Sequence, residues 1–441
     1  MVCTAVYFYM STSNMPTSKE SWNASSRCQT SNTSRRAIGL SALAVAPFRV
    51  THAAPVAAAT PLTFWNGFTG PDAPTVQTLV DRFNGSHASS TVSMNVMPWA
   101  DLTTKLLAAA AVGQGPDIAA FHLQYLPQYV QAGLVASVDG IYGHGIDPAS
   151  VPPDLLHSLK IGGHYYGAPA NYATLMLYWN KDLFHKAGLS YAPTTVAQWQ
   201  TDAVKLSHQG TNAQYGLALA DHATIPMWPV LIWLNGGDIV TPDHTRSLLA
   251  APKTEQAVAS WGNLVTKNHI SPVGLAGGDA DTLFQSQKAA MEINGPWATA
   301  GYTKAHINYD VAPIPTGPGG RVTLSDAVIL VVNKSSRNAA AARTFLSWWN
   351  QKAQQGYISL QSGFPPARTD MATYPSLQKN PFVVKFAQQA SYARFYLAGL
   401  KNFDKIDTDV FTPAIQSVEY NKASAYTALP AAASAMNKLL P

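Results

Sequence analysis

Carboxylates are the first candidates for chemistry, and the chain is poor in them. After residue 59 there are only three glutamates, Glu255, Glu292 and Glu419. Glycoside hydrolysis needs two carboxyl groups flanking the scissile bond, and Asp101, Asp117 and Glu292 could supply such a pair. Each also has a plainer role. Asp117 follows Gly115-Pro116, where a turn or cap takes an aspartate, and Glu292 could hydrogen-bond a ligand as readily as act as an acid. The other catalytic signatures are missing. There is no G-x-S-x-G elbow, no phosphate-binding P-loop and no G-x-G-x-x-G after a strand. The histidines are scattered, without the paired spacing that holds zinc. Neither a metal nor a cofactor is expected.

What the chain does have is aromatic residues at breaks between elements. Trp65, Trp99, Phe121, Tyr172, Trp228, Trp297 and Phe364 all fall at or near an expected strand end, helix start or loop. Sugar rings stack their C–H faces on aromatic planes, and their hydroxyls pair with Asp, Asn, Gln, Arg or His. The most telling stretch is Ala289–Trp297. Met291 and Ile293 alternate with Glu292 and Asn294 as in a strand, Gly295-Pro296 stops it, and Trp297 is left at the lip. Ligand crevices in open α/β sheets lie beyond the carboxyl ends of strands, so Trp297 is expected to floor a binding cleft.

The elements that must position these residues follow from periodicity. A strand at Leu62–Trp65 is followed by a helix from about Ala73 to Phe83, with Val76, Leu79, Val80 and Phe83 on one face. A second strand covers Val92–Val96, Asp101 caps a helix, and a third strand covers Ile118–Phe121. This alternation argues for βαβ units and a parallel sheet. Further along, a hairpin turn is expected at Gly162–Gly167, and strands at Thr174–Trp179, Tyr309–Ile314 and Ala327–Val332. Helices are expected over Thr194–Ser207, Met227–Leu234, Pro252–Lys267 and Ala339–Asn350. The Pro/Gly-rich Pro313–Gly320 reads as a link between lobes, and the remainder to Pro441 reads as helical.

With 441 residues, 47% of them hydrophobic and 12% charged, the chain suits a soluble protein of two domains. The first fifty-odd residues stand apart. A Ser/Thr/Asn-rich stretch leads to Arg35-Arg36, an apolar run from Ala37 to Phe48, and small residues at Thr51–Ala54, the order of a bacterial export signal. Cleavage after Ala53 or within Val56–Ala59 fits, and Ser34-Arg35-Arg36 hints at twin-arginine export rather than the general route. Both cysteines, Cys3 and Cys28, lie in this leader, so the exported form would have no disulfide. The leader also holds most of the +5 formal charge, leaving +1 for the rest. The basic pI is therefore no sign of a nucleic-acid partner.

Several motifs carry a resemblance. Phe64–Asp72 (FWNGFTGPD) and Met97–Asp101 (MPWAD) resemble the opening motifs of family 1 extracellular solute-binding proteins, the sugar receptors of ABC importers, the maltose-binding group among them. Gly115–Ile118, Tyr178–Phe184, Asn235–Asp238, Phe284–Met291, Asn294–Trp297 and Phe364–Arg368 continue it over nearly all of the chain after the leader. The resemblance implies an α/β fold of the periplasmic binding protein type II kind: two lobes, hinge-crossing segments, and a ligand caught between lobes as they close. The leader read above, an export signal with its upstream tail, covers 1–53. The N-terminal lobe would be 60–170 with 313–360, and the C-terminal lobe 171–312 with 361–441. In that family the Trp of the Asn-Gly-Pro-Trp motif stacks on a sugar ring, which implies Trp297. The loop after the first strand implies Asn66, Phe68 and Thr69; the segment after the third implies Phe121, His122 and Gln124; the lobe-crossing stretch implies Asn171 and Tyr172. The motifs and the aromatics at breaks add Trp65, Trp99, Asp101, Trp228, Asn235, Gly295, Phe364 and Arg368. Family members often carry an acidic–basic pair where this chain has Gln124-Tyr125, which leaves the sugar open. The expected function is a non-enzymatic, monomeric receptor that delivers a carbohydrate to ABC permease subunits. Two alternatives remain open: a receptor for glycerol phosphate, with Arg368 forking onto the phosphate, and a secreted carbohydrate-active enzyme.

Overall fold

The computed structural model describes residues 59–222 and 226–441; the expected leader, its cleavage site and both cysteines lie outside them. The βαβ alternation yields a sheet of five strands in the order Ser90–Val96, Thr60–Asn66, Ile118–His122, Val328–Val332, Ala168–Pro169. The first three are parallel. Val328–Val332 arrives from far along the chain and runs antiparallel to both neighbours. All five of its residues are buried, as an unbroken apolar strand in the middle of a covered sheet should be. The expected helix runs from Ala73 to Ser86, buries Val76, Leu79, Val80 and Phe83, and has Pro74 in its first turn, where the missing N–H is harmless. Phe64, Phe83, Phe345 and Trp349 pack edge-on or tilted behind this sheet, with ring centroids 4.9–6.5 Å apart.

A second sheet is antiparallel, in the order Met291–Asn294, Met176–Asn180, Tyr309–Ala312. Asn180 ends its strand and caps the following helix by accepting from the N–H groups of Asp182 and Leu183. The Met291–Asn294 strand departs from the expected half-buried alternation. All four residues are buried, because Glu292 and Asn294 enter a closed polar network instead of facing water.

Two large apolar cores result. One gathers Leu62–Ala173 and Ala327–Ala367, the other Leu175–Leu324 and Tyr396–Met436. The backbone passes between them where Ala173 gives way to Leu175, and again between Leu324 and Ala327. A small sheet joins these passages: Thr323–Asp326 pairs antiparallel with Ala173–Thr174 and parallel with Ala393–Phe395. The Pro/Gly-rich Pro313–Gly320 is not the crossing. Ile314 lies in the second core, Thr316 N–H donates to Thr194 O at 2.9 Å, and Gly319 N–H donates to Leu234 O at 2.7 Å. Its turns are held against the second core, and the crossing comes several residues later, in an ordinary short strand.

Candidate functional site

A cavity of about 300 Å³ opens where the two cores meet. Its aromatic wall is Phe68, Trp99, Trp297 and Phe364; its polar wall is Thr69, Asp72, His122, Asn171, Asp281 and Asp326. Phe68, Trp99 and His122 form one group, with Phe68 edge-on to Trp99 at 5.3 Å and the His122 ring 4.6 Å from Trp99. Trp297 and Phe364 form the other, 6.2 Å apart. Trp297 is partly buried and borders both large cores.

Each indole lies against a glycine. A methyl group at Gly67 would come within 2.1 Å of the Trp99 ring, and one at Gly295 within 2.0 Å of the Trp297 ring. No side chain fits at either place. Gly295 thus serves Trp297 as a platform, with its own backbone buried behind the ring.

Asp326, 3% exposed on the crossing strand, is the hub of the polar wall. His122 Nδ1 donates to its Oδ2 at 2.7 Å and Gln124 Nε2 to its Oδ1 at 3.1 Å. Burial by itself would lower the His122 pKa, but the charge and hydrogen bond of Asp326 outweigh it and raise it. A raised folded-state value means that the pair stabilises the fold fully below the unfolded value of about 6.5. That contribution fades as pH rises through the folded value. Asp326→Asn should therefore cost about 1–3 kcal/mol at pH 6 and less at pH 8.5. Denaturant unfolding at the two pH values measures this, and a pH-independent deficit would contradict it.

Asp281 closes the opposite side, on the helix Gly277–Gln285. Asn294 Nδ2 donates to it at 2.7 Å, and behind it Tyr302 donates to Glu292 at 2.5 Å. Burial pushes the Asp281 carboxyl up and holds that of Glu292, 1% exposed, far above its usual range. Glu292, bonded by Tyr302 behind Asp281, supports it from the buried side and does not line the cavity. Asp72, at the turn before the first helix, has its pKa pushed up to about 6 by burial.

Of the residues expected at a site, the fold brings Phe68, Thr69, Trp99, His122, Asn171, Trp297 and Phe364 to this cavity. Asn66 and Gln124 stand behind it: Asn66 Oδ1 accepts from Phe68 N–H at 3.2 Å, and Gln124 holds Asp326. Gly295 backs Trp297. The others are elsewhere. Trp65 alternates with buried Phe64 and so faces away, beneath Lys105 Nζ at 5.3 Å. Asp101 is exposed in the first turn of the helix Trp99–Ala111, which begins two residues before the expected cap. Phe121 and Tyr172 pack in the first core. Trp228 is sealed in the second core and donates to Glu419 at 2.9 Å. Asn235 donates to Leu231 O at a helix end. Arg368 is spent on its own loop, donating to Asn350 O at 2.7 Å and forking onto Asp370 at 2.8 and 2.9 Å. The suggested acid pair is not assembled either. Asp117 accepts from Thr63 N–H and from Ser336 Oγ, Glu292 pairs with Tyr302 in a buried network, and Asp101 is exposed on its helix.

Asp72, Asp281, Asp326 and the Gly277-Gly278 pair are cavity residues that sequence reasoning missed. Asp72 sat inside a recognised motif but read as a helix entry. Asp281 follows a Gly-Gly pair that could have marked a close approach. Asp326 has no local signal at all.

Two α/β halves joined by crossing strands, with a polar and aromatic cavity at their junction, define a two-lobe binding protein. The chain belongs to the family of bacterial extracellular solute-binding proteins, whose sequence model matches residues 78–384. A protein of Brucella abortus described as a binding protein is 26% identical over 366 residues, 81% of this chain and 88% of that one. The maltotriose-binding protein of Pyrococcus abyssi is 22% identical, covering 66% of this chain and 64% of its own. An ABC transporter solute-binding protein of Thermotoga lettingae, solved with α-D-tagatose, superposes with a TM-score of 0.80 at 21% identity. That match covers 86% of this chain and all of the other.

Proposed function

We propose that this chain is the extracytoplasmic receptor of an ABC importer and binds a carbohydrate in the cavity between its halves. The observation that carries the reading is that Trp99 and Trp297, each laid on a glycine, line one cavity whose other groups accept or exchange hydrogen bonds with hydroxyls. A volume of about 300 Å³ is at the lower end for small-molecule sites, which favours one or two sugar rings over a long chain. The lobes are assigned to the two cores, roughly 59–173 with 327–367 and 175–324 with 396–436. Contacts to both would favour a closed state and present it to the permease. The protein would act as an exported monomer without catalysis.

A phosphate-bearing ligand is disfavoured by charge. His122 is the one basic side chain among the described residues lining the cavity, and Asp326 already occupies it. Arg368, the cation suggested for that role, is held by Asp370.

Tryptophan emission titrated with tagatose, glucose, maltose, maltotriose and glycerol 3-phosphate tests this, with the incubated sugars analysed for products. The expected result is a saturable change with at least one sugar, none with the phosphate, and unchanged sugars. Saturation by the phosphate alone, or sugar turnover, would overturn the proposal.

A further inference from the structure

Three carboxylates and four aromatic rings line the cavity, yet among its described residues only His122 could offset their charge. His122 is spent on Asp326. Asp72 and Asp281 line the cavity with the aromatic rings and meet no cationic side chain there; Asp281 has only the neutral donors Asn294 and Tyr302. From this arrangement, and resting on the carbohydrate reading above, we infer that the cavity selects a saccharide carrying a protonated amine.

The physical ground is desolvation. A carboxylate taken out of water without a countercharge is disfavoured, and it responds by holding its proton. Burial raises both Asp72, to about 6, and Asp281. Neutral hydroxyls can donate to these oxygens but bring no charge. An ammonium group brings both, and aromatic rings such as those of Trp99 and Trp297, which line the same cavity, attract a cation as well. The titratable groups that line the cavity with Asp72 are His122, Asp281 and Asp326, and Glu292 and Tyr302 stand behind Asp281. The residues packed behind Asp72, Thr75, Val76, Trp349, Ile358 and Ser362, carry no charge.

Matched ligands that differ only at C2 test the inference. Glucose, N-acetylglucosamine and glucosamine, and the corresponding β-1,4 dimers, are titrated against the protein by tryptophan emission at pH 7 and low salt. The amine should bind at least tenfold tighter than its hydroxyl twin. The ratio should shrink as added salt screens the pair. It should also shrink below pH 6, where Asp72 takes up a proton, and at alkaline pH, where the amine loses one. In Asp72→Asn the amine-to-hydroxyl ratio should fall severalfold; the salt and pH dependence of the unmodified protein tests the same point without a variant. A hydroxyl or acetamide twin that binds as well as the amine overturns the inference and leaves the carbohydrate reading standing. So does binding of tagatose or maltotriose with no response to any amine. If no saccharide of either set binds, both fail together.

Discussion

Trp297→Ala should weaken saccharide binding by about 2–4 kcal/mol, the range of aromatic anchors at binding sites, or roughly 30- to 1,000-fold in Kd. The ring is partly buried, lines the cavity, and borders both cores rather than being sealed in one. Alanine would remove it and leave Phe364 without its 6.2 Å neighbour. Trp297→Phe, which keeps a smaller plane, should lie between. Calorimetric titration of the three proteins measures the series, with thermal melting to show that each is folded. An unchanged Kd in a folded Trp297→Ala protein would remove the stacking role.

The second large effect concerns stability. Glu419 and Asp221 are 3% and 2% exposed and interact with each other, and neither Glu419 Oε2 nor Asp221 Oδ2 has a hydrogen-bond donor from the rest of the described chain. Trp228 donates to Glu419, and His222 pairs with the far oxygen of Asp221. Burial, then the hydrogen bond and charge of Asp221, push Glu419 up to about 9. A folded value above the unfolded 4.5 means that folding takes up a proton between those limits. The contribution of this group to stability is full below about pH 4.5 and falls as pH rises toward 9. Glu419→Gln removes the proton uptake, while its amide can still accept from Trp228 and donate to Asp221. The variant should therefore be more stable than the parent at pH 8, on the order of 2–4 kcal/mol, with the advantage vanishing near pH 5. Parallel stability curves for the two proteins would contradict the coupling.

Local patterns carried much of the fold. The 3.6-residue spacing of Val76, Leu79, Val80 and Phe83 and the apolar run Val328–Val332 state their own burial. Long-range events were harder. The crossing strand Thr323–Asp326 looks like any short strand, whereas Pro313–Gly320 has the composition of a linker yet is held against the second core by backbone hydrogen bonds. At the site, Gly295-Pro296-Trp297 was legible as a strand stop with an aromatic at its lip, whereas the approach of Trp99 to Gly67, which lies on another element, was not. Trp228 shows the limit of that reading. An aromatic at a helix start reads the same whether it faces a cleft or, as here, lies 1% exposed in a core. Asp326 was illegible for a different reason. Its partners His122 and Gln124 are about two hundred residues away, and only the return of the chain through the first sheet brings them together.

Calorimetric titration of the folded protein with tagatose, maltose, maltotriose and glycerol 3-phosphate tests the central claim most directly. A carbohydrate held between the two halves should give a saturating one-to-one heat with at least one sugar and none with the phosphate. Dilution heats alone from every sugar, or saturation by the phosphate only, would contradict it.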